Sequence, residues 1–351
     1  KLSGGATMNA IRSVLVARSG TTDAHDRFLI LTDPGTRLFM DASQFNIGKG
    51  GQGMPTVIIT NGARYVGSSI NSVYLGQGGD GVTFSDNNTN ANGRMIITGA
   101  GSFAGVGGSL YMGDVAGNET KTAGGFLEIN EGGVMSVTGF VRIARGTVTG
   151  ATWTNVNSYG RIAVSNANSV LDVRGNYLQV GITDGYGDVI VADNAKLIVT
   201  NHSLAYIQLG GRSTLTVSDA GVETKRLIAA SNSTIRIELG ARDHATPYIQ
   251  MYSNLTLSAG AKLEIAFLDD FDYSGLQIND TVNLFKFTSF SGAFDGWTNG
   301  VTTLSSGGYN FEYTEYTDEI YLTVSAIPEP GTLGMIGIGI GLAAVLRRRR
   351  R

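Results

Sequence analysis

The sequence predicts an all-β chain, wound as a parallel β-helix (β-solenoid) with a C-terminal β cap and a single C-terminal transmembrane helix. Three observations carry this. Glycine stands at 50 of 351 residues, about twice its usual share of about 7%. The apolar residues include many Val, Ile, Tyr and Phe, and Thr is frequent, a mix that favours strands and turns. A unit of three short alternating runs recurs along the chain.

The unit reads "RFLILTDPGTRLFMDASQFNIG" from Arg27 and "TVIITNGARYVGSSINSVYLG" from Thr56. It returns as "GRMIITGAGSFAGVGGSLYMG" from Gly93 and "GFLEINEGGVMSVTGFVRIA" from Gly125. Two further copies begin at Gly160 and Gly187. Each has an alternating run, a turn rich in Asn, Asp or Gly, a second run, a small turn, and a third run ending in Gly or Ala. The ends fall at Gly48, Gly76, Gly113, Ala144, Gly181 and Gly210, spaced by 28, 37, 31, 37 and 29 residues. One such circuit cannot bury its apolar side. Circuits stacked at about 4.8 Å bury it continuously. Ile58, Ile96, Leu127, Ile162 and Ile190 are expected on the inward face, and Asn61, Asn130 and Asn166 are placed at corners where amides could stack as ladders. The insertions after Gly76 and Ala144 read as enlarged turns. A β-sandwich is the competing architecture, since short strands with regular turns suit it too.

After Gly210 the spacing shortens towards 20, and from Phe267 the texture becomes aromatic. A solenoid end exposes unpaired backbone and apolar surface, so a cap is physically required. The expected organisation is repeats over 1–266, a cap over 267–325, with a hairpin in "YNFEYTEYTDEIYLTV", and a tail over 326–351.

The tail is "AIPEPGTLGMIGIGIGLAAVLRRRRR". Residues 331–346 are apolar except Thr332. As a helix they would reach about 24 Å, short of the roughly 20 residues of a comfortable span, though flanking arginines can snorkel. Arg347, Arg348, Arg349, Arg350 and Arg351 follow at once. The positive-inside rule holds them in the cytoplasm and puts the repeats outside. That orientation calls for an export signal, and none is found from Lys1 onward. Pro328, Glu329 and Pro330 form an extended strip beside the membrane, since residues before proline avoid helix. Read structurally, the strip is a hinge; read functionally, it is a motif for a processing enzyme.

The three parts together, in this order, closely resemble the PEP-CTERM sorting signal. The resemblance covers 326–351, and Pro328, Glu329 and Pro330 take the motif positions. It implies recognition by a membrane-embedded exosortase, transient residence in the inner membrane of a Gram-negative-type bacterium, and delivery to the cell surface or extracellular matrix. Exopolysaccharide is then a candidate partner. The segment before the tail looks like the ending common in passengers of this family and in autotransporter-like repeats, and the repeats themselves look like a pectate-lyase-like β-helix.

Chemistry is sparse elsewhere. The chain has no cysteine, which excludes disulfides and thiolate metal sites. Its net charge of −3 and scattered basic residues recommend no nucleic-acid partner. His25, His202 and His244 lack metal-ligand spacing. The densest acids, Asp269, Asp270 and Asp272, read as a solvated turn rather than a glycosidase pair. Asp184 and Asp188 are weak calcium candidates on one turn, and no cofactor is expected. Trp153, Tyr159, Tyr186 and Tyr206 lie in or near turns, either as corner packing or as a surface for sugar stacking. The expected function is therefore a structural or adhesin-like protein of the surface or matrix, and not an enzyme. A polysaccharide lyase or hydrolase is the alternative, with a non-catalytic carbohydrate-binding protein as the third.

Overall fold

In the computed structural model, residues 1–11, 14–18, 27–49, 53–78, 90–115, 122–145, 157–182, 185–243 and 245–326 are described. Among them there is no helix. The described residues form three sheets of nine, thirteen and ten strands. Each circuit gives one strand to the first sheet, then one to the second, then one to the third. The circuit of Asn157–Val164, Val170–Val173 and Tyr177–Val180 is representative. It pairs in parallel with the circuit before it and the circuit after it, in every sheet. This is a β-solenoid, as the repeat predicts.

The register follows the repeat endings. Ile47 pairs with Leu75, Leu75 with Met112, Met112 with Ile143, Ile143 with Val180, and Val180 with Leu209. Gly48, Gly76, Gly113, Ala144, Gly181 and Gly210 therefore stand in one column at the end of the third sheet. Five of them have positive φ, from 53° to 76°. At Gly76 and Gly113 an added Cβ would lie 2.0 Å from the carbonyl oxygens of Gly124 and Tyr159. The chain turns there directly against the backbone of the circuit after next, and a side chain has no room. Ala144 accepts the same backbone at φ 53°.

The core is the inside of the stack. In the first sheet, Val57, Met95, Leu127, Ile162, Val189, Leu215 and Ile235 form one inward column. Leu127 and Ile162 face inward as expected, but Ile58, Ile96 and Ile190 stand on the outer face, with Ile59, Ile97 and Val191 buried beside them. The reason is local. In "VII" and "MII" both faces of the strand are apolar, so alternation sets the period but not its phase.

The corner between the first and second sheets holds a column of small buried residues, among them Thr36, Ala63, Ser102, Ser169, Ala195, Ser233 and Ala261. Three of their hydroxyls accept backbone N–H groups from the previous circuit: Gly5 to Thr36 Oγ1 at 3.1 Å, Gly62 to Ser102 Oγ at 3.1 Å, and Gly132 to Ser169 Oγ at 3.0 Å. The corner is thus laddered by hydroxyls. Asn61 and Asn166 hold the same left-handed corner position, but Gly99 and Glu131 stand between them, and Asn130 pairs with Thr98 inside a strand, so the three asparagines do not stack on one another. One buried amide does tie circuits together: Asn71 accepts the Tyr65 hydroxyl and donates to the Ala42 carbonyl at 2.8 Å.

Beyond Gly210 one circuit is short, with Ile207 opposite Leu227. The next lengthens again, Leu227 lying opposite Leu255. Parallel pairing continues past residue 267, through Thr281–Lys286 in the second sheet and Ser289–Ser291 in the third. Antiparallel strands then follow at Thr303–Ser306, Tyr309–Glu315 and Glu319–Ala326, and the last of these closes the edge of Thr281–Lys286. The pair Tyr309–Glu315 and Glu319–Ala326 is the hairpin read from the sequence. Phe271, Phe294 and Phe311 are buried at this end, and the Trp297 indole donates to the Leu263 carbonyl at 2.9 Å.

Candidate functional site

Several sequence candidates fall outside the described residues. These are Pro328, Glu329, Pro330 and Arg347 to Arg351, with the proposed span 331–346, and also Asp184, His25, His244 and Trp153. Among the described residues no helix is long and apolar enough to cross a membrane, and no group of three or more His, Cys, Asp or Glu is placed to hold a metal.

The acids 269, 270 and 272 are exposed. Asp272 accepts the backbone N–H of Ser274 at 2.8 Å, and Phe271 between them is buried. This is a turn that inserts an aromatic plug and leaves its carboxylates in water. His202 caps its own turn, its Nδ1 accepting the Leu204 N–H at 3.1 Å.

Tyr206 belongs to a ladder on the outer face of the third sheet. Tyr74 and Tyr111 stack with centroids 4.6 Å apart and planes 3° apart. Phe140, Tyr177 and Tyr206 continue the run at 4.7 and 5.4 Å. Arg142 lies 4.9 Å over the Phe140 ring and donates to the Tyr177 hydroxyl at 2.8 Å. Gln179 donates to Gln208 Oε1 at 2.9 Å. The rings spend their faces on one another, so they are packing elements that join circuits and offer no flat surface to a ligand. Burial pushes the Tyr74 phenol up to about 12, with Tyr111 and Asp114 adding to the shift. Burial likewise raises the Asp114 carboxyl, against the pull of Arg145 and Arg142.

The outer face of the first sheet offers a different geometry. One outward row reads Ile58, Ile96, Glu128, Ala163, Ile190 and Thr216 in register. The step from Glu128 down to Ala163 leaves a depression between these two strands. Ser165 extends it in the neighbouring row. The result is a cavity of about 230 Å3, lined by Phe126, Glu128, Asn130, Arg161, Ala163 and Ser165 and floored at Leu127.

Its charges are compensated locally. The Arg94 Nη2 donates to both Glu128 carboxylate oxygens at 2.7 and 2.8 Å, a charge-assisted contact that holds the carboxylate. Asp188 accepts the Tyr159 hydroxyl at 3.2 Å, and the Tyr159 ring packs on Phe126 at 5.5 Å. Burial first, then the Asp188 charge and hydrogen bond, raise the Tyr159 phenol, while Arg161 pulls the other way. Asp188, singled out for calcium, thus serves as an acceptor for tyrosine beside the groove. Sequence reasoning did not find this groove. Its signal is one alanine in an outward row, which is visible only once the register is known.

Comparison with known proteins bears on the tail alone. Residues 326–351 match the PEP-CTERM protein-sorting motif. No curated protein matches the chain. The chain therefore joins a β-solenoid to a PEP-CTERM motif, which implies export, membrane-associated sorting and processing by an exosortase.

Proposed function

We propose that the protein is a structural or adhesive component of the cell surface or extracellular matrix. The observation that carries this reading is the pairing of a sorting motif at 326–351 with a stack of parallel circuits. Such a stack is stiff, because each inner circuit is hydrogen-bonded to two others and shares one core. It forms without disulfides, since the chain has no cysteine, and its turns can present varied surfaces. On this reading residues 331–346 hold the chain in the inner membrane while Pro328, Glu329 and Pro330 are recognised, and exopolysaccharide is the polymer that the delivered rod meets.

The test is to delete the protein from the bacterium that makes it and to measure matrix cohesion and surface labelling of intact cells. Loss of cohesion, restored by the intact gene and not by one with Pro328, Glu329 and Pro330 replaced by alanine, is the expected result. A chain that stays inside the cell contradicts the reading. Incubation of the purified chain with bacterial and plant polysaccharides addresses the enzyme alternative, and clear depolymerisation would replace a structural role with a catalytic one.

A further inference from the structure

We propose that the groove at Ala163 binds pyranose units of a neutral polysaccharide. The proposal rests on reading the chain as a surface or matrix protein and names the ligand of the outer face of its first sheet.

The groove lies on two central strands of the first sheet, Thr122–Asn130 and Asn157–Val164, with Tyr186–Ala192 paired beyond the second. Both edges of the intervening strand Asn157–Val164 are paired. A peptide partner that adds a strand therefore has no edge to use here. The ligand must be recognised by side chains.

Those side chains are of two kinds. Phe126 and Ala163 supply apolar surface, and Glu128, Arg161 and Ser165 supply donors and acceptors around it. A pyranose presents the same division, with a C–H face and a rim of equatorial hydroxyls. Neighbouring hydroxyls match a carboxylate and a guanidinium, each of which makes paired hydrogen bonds. The fixed Arg94–Glu128 pair keeps the carboxylate in place before the sugar arrives. Because Glu128 already carries its counter-charge and Arg161 sits near Tyr159 and Asp188, a charged ligand gains little over a neutral one. Arg161, Ala163 and Ser165 alternate along one strand and span roughly 13 Å at about 3.3 Å per residue. The sugar chain accordingly runs along a circuit, across the solenoid axis.

The experiment is calorimetric titration of the full chain with cellohexaose, laminarihexaose and mannohexaose, and with tetragalacturonate as the acidic arm. Ala163→Trp fills the groove from the outside without entering the core. Thr216→Trp places the same bulk in the same outward row, two circuits away. Circular dichroism checks that both variants fold. The proposal expects at least one neutral hexasaccharide to bind, to weaken at least about tenfold in Ala163→Trp, and to be unchanged in Thr216→Trp. It also expects binding to survive about 1 M salt, where charges are screened beyond about 3 Å. Absence of binding across the neutral panel overturns the proposal, and so does equal binding by Ala163→Trp. Binding of tetragalacturonate alone, lost in salt, overturns the neutral assignment. A chain that reaches the surface and binds no sugar removes the groove and leaves the matrix role. A chain that binds sugar and never reaches the surface does the reverse.

Discussion

Gly113 and Ala144 are neighbours in one column and face the same conformational demand. At Gly113 a methyl would meet the Tyr159 carbonyl oxygen, on top of a left-handed backbone that costs an L-residue about 1–2 kcal/mol. Gly113→Ala is expected to lower stability by about 2–5 kcal/mol, adding overpacking to strain. Ala144→Gly relieves φ 53° but gives up a buried methyl, worth about 0.8 kcal/mol, and frees the unfolded chain by about 0.5–1 kcal/mol. The two sides nearly cancel, so that variant is expected within about 1 kcal/mol of the parent. Urea unfolding of both variants checks the contrast. The column was legible beforehand because the demand for small residues repeats at every circuit. Asn61 and Asn166 do sit at corners, whereas Asn130 was misplaced, because an asparagine suits a left-handed turn and a strand end alike and composition does not separate them.

Among elements, the strands were visible in the sequence but their facing was not. Ile162 is fully buried, whereas Ile190 stands outward beside buried Val189 and Val191. Ile162→Ala is expected to cost about 2–5 kcal/mol. Ile190→Ala, a change at the surface, should stay within about 0.5 kcal/mol. Equal losses by thermal or chemical unfolding would mean that the register is displaced by one residue. The groove was hidden for the same reason, since Ala163 becomes informative only when Glu128 and Ile190 are known to flank it. The cap was legible as a change of texture after Phe267, because covering a solenoid end takes aromatic bulk. Its start was not, since Thr281–Lys286 and Ser289–Ser291 still wind with the repeats while carrying the aromatics of the end.

The whole molecule is a stack whose circuits are joined by half-buried phenols. Tyr74 is raised to about 12, and Tyr111, Tyr159 and Tyr206 move in the same direction, burial being the first cause in each. The folded chain therefore holds protons that an unfolded tyrosine, near 10, gives up. This contribution to stability is complete below about pH 10 and is lost as pH rises through about 12. In alkaline titration the tyrosinate absorbance that Tyr74→Phe removes should appear together with loss of the β signal. If that part of the absorbance forms early, with the fold intact, the Tyr74 ring is exposed. The tail was the most legible part of all, because Pro328, Glu329 and Pro330, a short apolar run and terminal arginines form a dense signal with a single address. The repeats encode shape, and shape alone does not name a ligand.

The central claim is that the tail delivers the solenoid to the surface and is processed on the way. Its most direct test is the intact mass of the protein recovered from the surface of the cells that make it. A mass lacking the apolar run and Arg347 to Arg351, with the cut near Pro328, Glu329 and Pro330, is the predicted result. A surface-displayed chain that still ends at Arg351 would contradict it.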